Sequence, residues 1–263
     1  MSREHLVGKR CLLCDTLFPF EEQELTCPHC GELGILDVEY DYDFIRDRFL
    51  DSVATSGRRD IFRYRLLLPL DTEGDRPLVR VGPTPLFAAD RLAQELGMKH
   101  LWIKDDGRNP TASFKDRASA VAVARARELG VNRIVAASTG NAAASLAGLT
   151  APEGMEAIIL VPSSAPPAKI AQLLTCGARV FAVEGSYDDA FSLSLQAAAR
   201  FGWYSRSTAV NPLMSEGKKT GSLEMLEQFG WTTPPDTVFV SVGDGCIIGG
   251  LAKGLLELHT LGI

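Results

Sequence analysis

Short blocks of apolar, often β-branched residues recur along the chain, and five of them have the pattern of buried β-strands. These blocks cover residues 99–104, 133–138, 156–161, 179–184 and 237–242. Helical patterning fills the intervening stretches at 115–129, 141–149, 168–176, 188–201 and 217–229, and four of these are followed by a glycine that ends the helix. Strands that alternate with helices predict an α/β fold whose parallel sheet is covered on both faces.

The first part of the chain is less regular. Residues 41–70 are partly helical and resemble a linker. Between residues 76 and 85, three prolines and a glycine exclude a regular element. The regular alternation of elements therefore begins only near residue 99.

Composition and charge limit the class of protein. With 46% hydrophobic and 23% charged residues, the chain has the composition of a soluble globular protein. Its apolar runs are well short of the ~20 residues that a membrane helix needs, and its first residues lack the apolar core of a signal peptide. We therefore expect a cytoplasmic protein with no membrane partner. A formal charge of −6 argues against nucleic acid, which favours a basic face.

Four of the six cysteines lie in the first thirty residues, in the paired motifs CLLC and CPHC. In a reducing cytoplasm, doubled CxxC spacing indicates zinc rather than disulfides. Four thiolates leave no open position on the metal, so the expected zinc is structural. Gly31 would supply the tight turn of the second motif. A redox pair or coincidence is the alternative to a zinc site with the ligands Cys11, Cys14, Cys27 and Cys30.

Three loops follow or precede predicted elements at the edge where parallel sheets bind ligands. They are NPTASFK (109–115), ASTGNAA (137–143) and VGDGCIIGG (242–250). Their small residues allow backbone N–H groups to approach a ligand, and a loop that opens a helix favours an anion. Lys115 is the most reactive group among them, because a lysine in a partly apolar pocket becomes a nucleophilic amine.

Each loop also has a simpler explanation. Lys115 could be a solvated first-turn residue paired with Asp116. Ser138, Thr139 and Asn141 are all good helix N-caps. VGDGCIIGG could be a tight turn, or the dinucleotide loop of a dehydrogenase whose third glycine falls one residue late. Taken singly, none of the loops decides a function.

Taken together, the motifs resemble those of threonine synthase, a pyridoxal-phosphate enzyme with the tryptophan synthase β-like fold. NPTASFKDR resembles the lysine motif of that family, STGNAA its SxGN loop, and VGDGCIIGG its glycine-rich phosphate loop. VGPTPL and NPLMSEGKKT resemble its entry segment and one of its helix starts. The resemblance runs in order from about residue 76 to the end, and some members also carry a cysteine ribbon.

The resemblance implies a role for each loop. Lys115 would carry pyridoxal 5'-phosphate on its amine and then act as general base and acid toward substrate carbons. Asn141 would bond the pyridine hydroxyl. The substrate carboxylate would be bound by Ser138, Thr139 and Gly140. The cofactor phosphate would be bound by Gly243, Asp244, Gly245, Cys246 and Ile247.

The sequence departs from the family pattern in three places. Asp244 brings a carboxylate into the phosphate loop, so it must point away or accept hydrogen bonds from the loop itself. Thr208 and Met214 stand where threonine synthases tend to have Asn and Arg, which removes a bidentate phosphate clamp. The family also continues well past residue 263, which predicts an uncovered apolar patch at Leu251, Leu255, Leu256 and Leu258.

The sequence therefore predicts an α/β fold of two doubly wound parallel-sheet domains, the second incomplete, preceded by a small zinc ribbon. The expected parts are a zinc-ribbon-like segment (1–38), a linker and N-terminal segment packing on the larger domain (39–84), a first α/β domain (85–205) and part of a second (206–263).

The expected function is that of a threonine synthase-like pyridoxal-phosphate lyase, acting on a small amino-acid substrate with a leaving group at Cβ or Cγ. Conversion of O-phosphohomoserine to threonine is the model reaction, but that substrate should react poorly if Thr208 and Met214 do replace the clamp. The alternatives are a cysteate synthase-like or dehydratase-like enzyme, and a truncated, non-catalytic module that binds the cofactor or a partner. Homodimers are common in such folds, and a homodimer is kept as an expectation.

Overall fold

An antiparallel ribbon opens the chain in the computed structural model, which describes residues 3–22, 25–74 and 76–263. Its strands are β1 (Leu6–Cys11), β2 (Leu17–Phe18) and β3 (Leu36–Tyr40), in the order β2-β1-β3. Along β3, Leu36, Val38 and Tyr40 alternate with acidic residues and are buried. The period of two places these apolar side chains on one face, where Val38 and Tyr40 join the main core and Leu36 packs with Cys11 and Cys27 of the ribbon.

A series of short elements connects the ribbon to the main sheet. They are α1 (Tyr42–Arg46), α2 (Phe49–Ala54), a 3-10 helix (Ile61–Leu67), β4 (Leu86–Ala88), α3 (Asp90–Glu95) and β5 (Trp102–Lys104). β4 and β5 pair with each other in antiparallel fashion. The strand predicted at 99–104 is thus shorter than expected and lies outside the main sheet. Described residues between 76 and 85 form no helix or strand, as predicted.

The main sheet is built from strands that alternate with helices. In chain order these are α4 (Lys115–Glu128), β6 (Arg133–Ala137), α5 (Asn141–Thr150), β7 (Glu156–Pro162), α6 (Pro167–Thr175), β8 (Arg179–Val183), α7 (Tyr187–Phe201) and β9 (Tyr204–Ser205). The strands are parallel and have the order β8-β7-β6-β9. Every helix and strand predicted from 115 to 201 is present, with boundaries that differ by one residue.

Both faces of the central strand β7 are buried. On one face, Ile158 and Leu160 of β7 pack with Ala190 of α7. On the other face, Ile159 and Val161 belong to the larger core that includes α4 and α5. A strand covered on both sides needs apolar residues at every position, which explains the unbroken run EAIILV. The expected α/β fold is confirmed.

Two long helices, α8 (Leu213–Gln228) and α9 (Cys246–Leu261), pack against each other, and α8 also packs on α4. Lys253 of α9 ties the ribbon to this pair, because its Nζ donates to Asp37 Oδ1 at 2.7 Å and to the Val38 carbonyl at 2.6 Å. None of the helices formed by the described residues combines the length and apolar character needed to cross a membrane.

The strand predicted at 237–242 is not formed, so that prediction was wrong. Val238, Phe239 and Val242 expose 38%, 85% and 62% of their surface. A strand requires a neighbouring strand to satisfy its backbone N–H and C=O groups. Among the described residues, none pairs with this segment.

The apolar patch expected on α9 is present only in part. Leu256 exposes 66% of its surface, whereas Leu258 is 2% exposed and belongs to the main core. Leu251 and Leu255 are partly buried. Contacts with α8 and α1 bury one side of this helix, at Gly250, Gly254, Glu257, Leu258 and Leu261.

Candidate active site and metal-binding cluster

Lys115 is the first residue of α4, and the loop before it is fixed by hydrogen bonds rather than by packing alone. Thr111 donates its backbone N–H to Asp116 Oδ2 at 2.7 Å, and its hydroxyl bonds the other carboxylate oxygen. Asp116 is fully buried. Its carboxylate therefore orders the loop and is not an ion-pair partner of Lys115, which removes the pairing with Asp116 from the simpler explanation for that lysine.

The STGN loop connects β6 to α5. Gly140 is the N-cap of α5, and no side chain forms a capping hydrogen bond there. The Ser138 hydroxyl instead accepts from the Gly140 N–H at 3.2 Å. Helix capping by Ser138, Thr139 or Asn141 is thus absent from this end of α5. Asn141 is at the first helical position and lines the cavity described below, and its side-chain amide forms no hydrogen bond to another described residue.

The glycine-rich loop precedes α9, with Gly245 in the left-handed conformation (φ 78°) as its N-cap. Asp244 accepts hydrogen bonds from the Cys246 N–H at 3.1 Å and from the Thr208 hydroxyl at 2.8 Å. Partial burial favours the neutral acid, but the Thr208 hydroxyl and the charge of Lys218 hold the pKa of Asp244 below its usual range. The Asp244 carboxylate therefore accepts hydrogen bonds from the protein itself, as expected for a carboxylate in a phosphate-binding loop.

Lys218 of α8 is a fully buried cation near this loop. Its Nζ has no hydrogen-bond partner among the described residues. Burial lowers the pKa of Lys218, and the neighbouring Cys246 sulfur partly offsets that effect. A buried ammonium whose neighbours are the Cys246 sulfur and the more distant charge of Asp244 is incompletely compensated, which favours an anion beside the start of α9.

One cavity of about 480 Å³ brings the loops together. Lys115, Ser138, Asn141 and Asp244 all line it. Six of the predicted loop residues are not part of the lining. Thr139 and Gly140 connect Ser138 to Asn141. The others adjoin Asp244 in the chain and are Gly243, Gly245, Cys246 and Ile247. The volume lies within the range of small-molecule sites.

Several further residues of this cavity were not identified from the sequence, among them Tyr187, Asp188 and Arg206. Tyr187 begins α7, and its hydroxyl donates to the Ala137 carbonyl at 3.4 Å. Arg206 follows β9 directly and is 2% exposed. The carboxyl ends of β6 and β9 meet at the same edge of the sheet, which is the only sequence signal that could have suggested Arg206.

Met214 and Thr208, the positions that differ from the expected phosphate clamp, lie in different surroundings. Thr208 lines the cavity and bonds Asp244. Met214 is fully buried in the main core and is not part of the cavity lining.

An internal ion pair holds the helix that carries Lys115. Arg117 is fully buried, and its guanidinium donates to both Glu224 oxygens, at 3.0 and 3.1 Å. It also bonds Asp106 Oδ1 at 2.8 Å. Glu224 accepts from the Thr84 N–H at 2.7 Å as well, so α4, α8 and the entry segment are joined at one carboxylate.

The comparisons with known proteins agree with this geometry. A model of the family described as "Pyridoxal-phosphate dependent enzyme" matches residues 78–262, a range that includes Lys115 and the whole cavity. The chain belongs to this family. The resemblance inferred from the three loops is confirmed, and pyridoxal phosphate is the cofactor of the family.

The chain is similar to threonine synthases. It is 38% identical over 256 residues to the enzyme of Methanocaldococcus jannaschii and 36% identical over 256 residues to that of Methanosarcina acetivorans. Both matches cover 97% of this chain but only 62% and 61% of the relatives. Diaminopropionate ammonia lyase of Escherichia coli in its apo form has a similar fold, with a TM-score of 0.59 and 25% identity over 68% of this chain and 55% of that one. The chain thus spans about three fifths of the curated relatives it matches.

The four N-terminal cysteines form a second candidate site, apart from the cavity. Their Sγ atoms all lie within 4.8 Å of one another, and those of Cys14 and Cys27 are 3.7 Å apart. A tetrahedral site with Zn–S bonds of about 2.3 Å separates its sulfurs by about 3.8 Å. Gly31 has the left-handed conformation expected of it (φ 66°). The cluster of Cys11, Cys14, Cys27 and Cys30 therefore fits a metal ion.

The ionisation of the cluster supports the same conclusion. Hydrogen bonds from Thr16 lower the pKa of Cys14 to about 6. Contact with the Cys14 sulfur, together with burial, raises the pKa of Cys30 to about 12. Thiols packed this closely cannot all lose their protons unless a cation compensates the charge.

Proposed function

We propose that this chain carries the lysine-bearing part of a pyridoxal-phosphate lyase of threonine synthase type. Such an enzyme eliminates or replaces a leaving group at Cβ or Cγ of a small amino acid. The observation that carries the proposal is that Lys115 lines a cavity together with Asn141 and Ser138, while its sequence neighbour Asp116 is bonded elsewhere.

The residues present fit the cofactor. Its phosphate is assigned to the loop of Gly243, Asp244, Gly245, Cys246 and Ile247, where the start of α9 and the unpartnered Lys218 ammonium both favour an anion. Asn141 is assigned to the ring hydroxyl. When bound, pyridoxal phosphate supplies an electron sink for the substrate.

The protein's own contribution is to bind, orient and move protons. Lys115 holds the cofactor and then transfers protons at substrate carbons, for which its position at a fixed helix start is suited. The segment Ser138, Thr139 and Gly140 is assigned to the substrate carboxylate. Tyr187, hydrogen-bonded to the end of β6, borders the same cavity.

The remaining assignments are also proposals. Residues 1–38 act as a zinc-held clip, 39–84 as a linker and packing segment, 85–205 as the first α/β domain and 206–263 as part of a second. The Lys253–Asp37 ion pair of 2.7 Å supports a clip, because it fastens the ribbon to α9. We propose zinc as the metal, a cytoplasmic location, no nucleic-acid or membrane partner, and a homodimer.

Absorbance spectroscopy tests the cofactor assignment. The purified chain, titrated with pyridoxal phosphate, should develop a visible band that the Lys115→Ala variant lacks. Lys169→Ala, which removes an exposed lysine of α6, is the matched control and should behave like the wild type. Borohydride reduction followed by peptide mass spectrometry should place the cofactor on Lys115.

The outcomes separate the alternatives. A cofactor mass on another lysine would overturn the role of Lys115. Folded protein that never develops the band would make this chain a non-catalytic module. Amino acids with different leaving groups can then be compared by the changes they cause in the band.

A further inference from the structure

Arg206 is a buried cation whose hydrogen bonding is incomplete. Its Nε donates to Ser119 Oγ at 3.2 Å, and its backbone N–H donates to the Val135 carbonyl at 2.9 Å. Its Nη2 is buried and has no hydrogen-bond partner among the described residues. Burial lowers the pKa of Arg206 to about 10, although Cys246 and Asp244 partly oppose the shift.

Neither of the nearby carboxylates, Asp244 and Asp116, forms an ion pair with Arg206. Asp244 is bonded to Thr208 and to the Cys246 N–H, and Asp116 to Thr111. A guanidinium that is 98% removed from solvent yet lacks a carboxylate is destabilising unless a ligand supplies the missing anion. Arg206 has the fork geometry that suits phosphate and related oxyanions.

The position of Arg206 indicates which part of a ligand it would meet. Apart from Lys115, it is the one cation among the described residues that line the cavity. Lys115 is assigned to the cofactor, and Lys218 lies by the glycine loop rather than in the cavity lining. Thr208, two residues from Arg206, lines the same wall. The lining also includes the carboxylates of Asp188 and Asp244, so Arg206 is the one cation left in this cavity to bind an anionic group on the substrate side chain.

We infer that Arg206 is a specificity-determining residue that binds a phosphate-like anion on the side chain of the amino-acid substrate. This inference rests on the proposed function. It replaces the expectation drawn from Met214: the missing arginine of the family pattern does not leave the site without a cation, because β9 supplies one.

Anion binding can be measured without turnover. Inorganic phosphate is titrated into protein saturated with pyridoxal phosphate, and the melting temperature is recorded. Wild-type protein should gain roughly 2–4 °C at phosphate concentrations well above the dissociation constant, and Arg206→Gln should gain none. Arg200→Gln removes an exposed arginine of α7 and should keep the wild-type response.

Folding failure is separated from loss of the anion site by the melting temperature without phosphate. Arg206→Gln should melt at or above the wild-type temperature, because a buried, incompletely paired charge has been removed. Arg206→Lys keeps the charge without the fork and should show a reduced but measurable response. An equal response in wild type and a folded Arg206→Gln would overturn the inference.

A second arm distinguishes the two sources of phosphate. Lys218→Gln should weaken binding of the cofactor yet leave the response of cofactor-saturated protein to phosphate intact. If Lys218→Gln abolishes that response while Arg206→Gln preserves it, the anion site belongs to the cofactor alone and the inference fails. If pyridoxal phosphate does not bind the wild type at all, the proposed function fails, and the cofactor-free titration still decides whether Arg206 binds an anion.

Kinetics provide the third readout. With O-phosphohomoserine, Arg206→Gln should raise KM by about 10- to 100-fold, the range for a charged hydrogen bond. With a homoserine ester whose leaving group is uncharged until it departs, such as O-acetylhomoserine, the KM of Arg206→Gln should change less than threefold. A parallel loss with both substrates would show a structural role instead.

Discussion

Two segments of this chain have similar apolar, β-branched patterns, yet one forms a buried strand and the other forms none. EAIILV (156–161) forms β7, where Ile158, Ile159 and Leu160 are each 3% exposed or less. TVFVSV (237–242) is at least as rich in β-branched residues and also contains an aromatic one, yet Phe239 is 85% exposed and the segment forms no strand. The first lies between β6 and β8, whereas no described strand lies beside the second.

The difference shows that a sequence with high β-propensity forms a strand only in suitable surroundings. β-branched residues stabilise a pleated surface only when cross-strand neighbours and a covering layer are present. β7 has both, from two strands and from helices on each face. Residues 237–242 have neither within the described chain, and the apolar pattern alone does not create them.

Hydrogen exchange should give the largest contrast between the two segments. The amides in the centre of β7 should exchange only through global unfolding, which for a domain costs about 5–15 kcal/mol. The amides of 237–242 should exchange almost without protection, because no backbone hydrogen bond to another described residue holds them. The measurement is native-state exchange followed by mass spectrometry of peptic peptides.

Protection of 237–242 would contradict this comparison. If it rises with protein concentration, a second copy of the chain supplies the missing neighbour. If it is independent of concentration, the segment pairs within the chain in solution. Exchange of β7 at the rate of 237–242 would show instead that the parallel sheet is not the stable part.

The same contrast explains how much the sequence could predict. The elements from 115 to 201 were predictable because each has a local apolar period and a glycine or turn at its end. Lys115, Ser138 and Asn141 were predictable because they lie in loops of distinctive composition. The failure at 237–242 reflects the absence of a partner strand, which no local pattern reports.

The cations of the site were beyond local reasoning for another reason. Helical periodicity assigns charged residues to the surface, yet Glu216, Lys218 and Lys219 of α8 are fully buried. Arg206 is held by Ser119, 87 positions away in the chain. Burial of a charge depends on such distant partners, so only the folded structure identifies these residues.

The buried Arg117–Glu224 ion pair provides a test of the ordered region. Glu224→Gln keeps the size of the side chain but leaves fully buried Arg117 with Asp106 as its carboxylate. We expect a loss of about 3–5 kcal/mol in the free energy of unfolding, measured in urea. Glu95→Gln at the exposed Arg91–Glu95 pair is the control and should change it by less than about 0.5 kcal/mol. Similar small losses at both positions would show that the buried pair does not hold α4 to α8.

The pair also predicts a pH dependence. Burial alone would raise the pKa of Glu224, but Arg117 and Lys104 lower it to about 2. The folded pKa is below the unfolded value of about 4.3, so the stabilisation is present above that value and is lost as the pH falls toward 2. Wild-type protein should lose about 3 kcal/mol over this window. A Glu224→Gln variant that keeps the full acid sensitivity would assign it to other carboxylates.

The smallest expected effect tests whether the chain is ordered at Gly245, shortly after the segment 237–242. Gly245, the N-cap of α9, has φ 78°, and a Cβ there meets no atom within 4 Å. Gly245→Ala should therefore cost only the backbone strain, about 1–2 kcal/mol. Gly249, inside α9, also has open space around its Cα, so Gly249→Ala should stabilise by about 0.5–1 kcal/mol. Urea unfolding of both variants measures the two changes in the free energy of unfolding.

If Gly245→Ala does not change this free energy, the loop is as loosely held as residues 237–242 and α9 begins later. Opposite signs would mean that the left-handed turn at Gly245 is formed before any ligand binds, so the anion site proposed at the start of α9 would be preorganised although the segment leading to it is not.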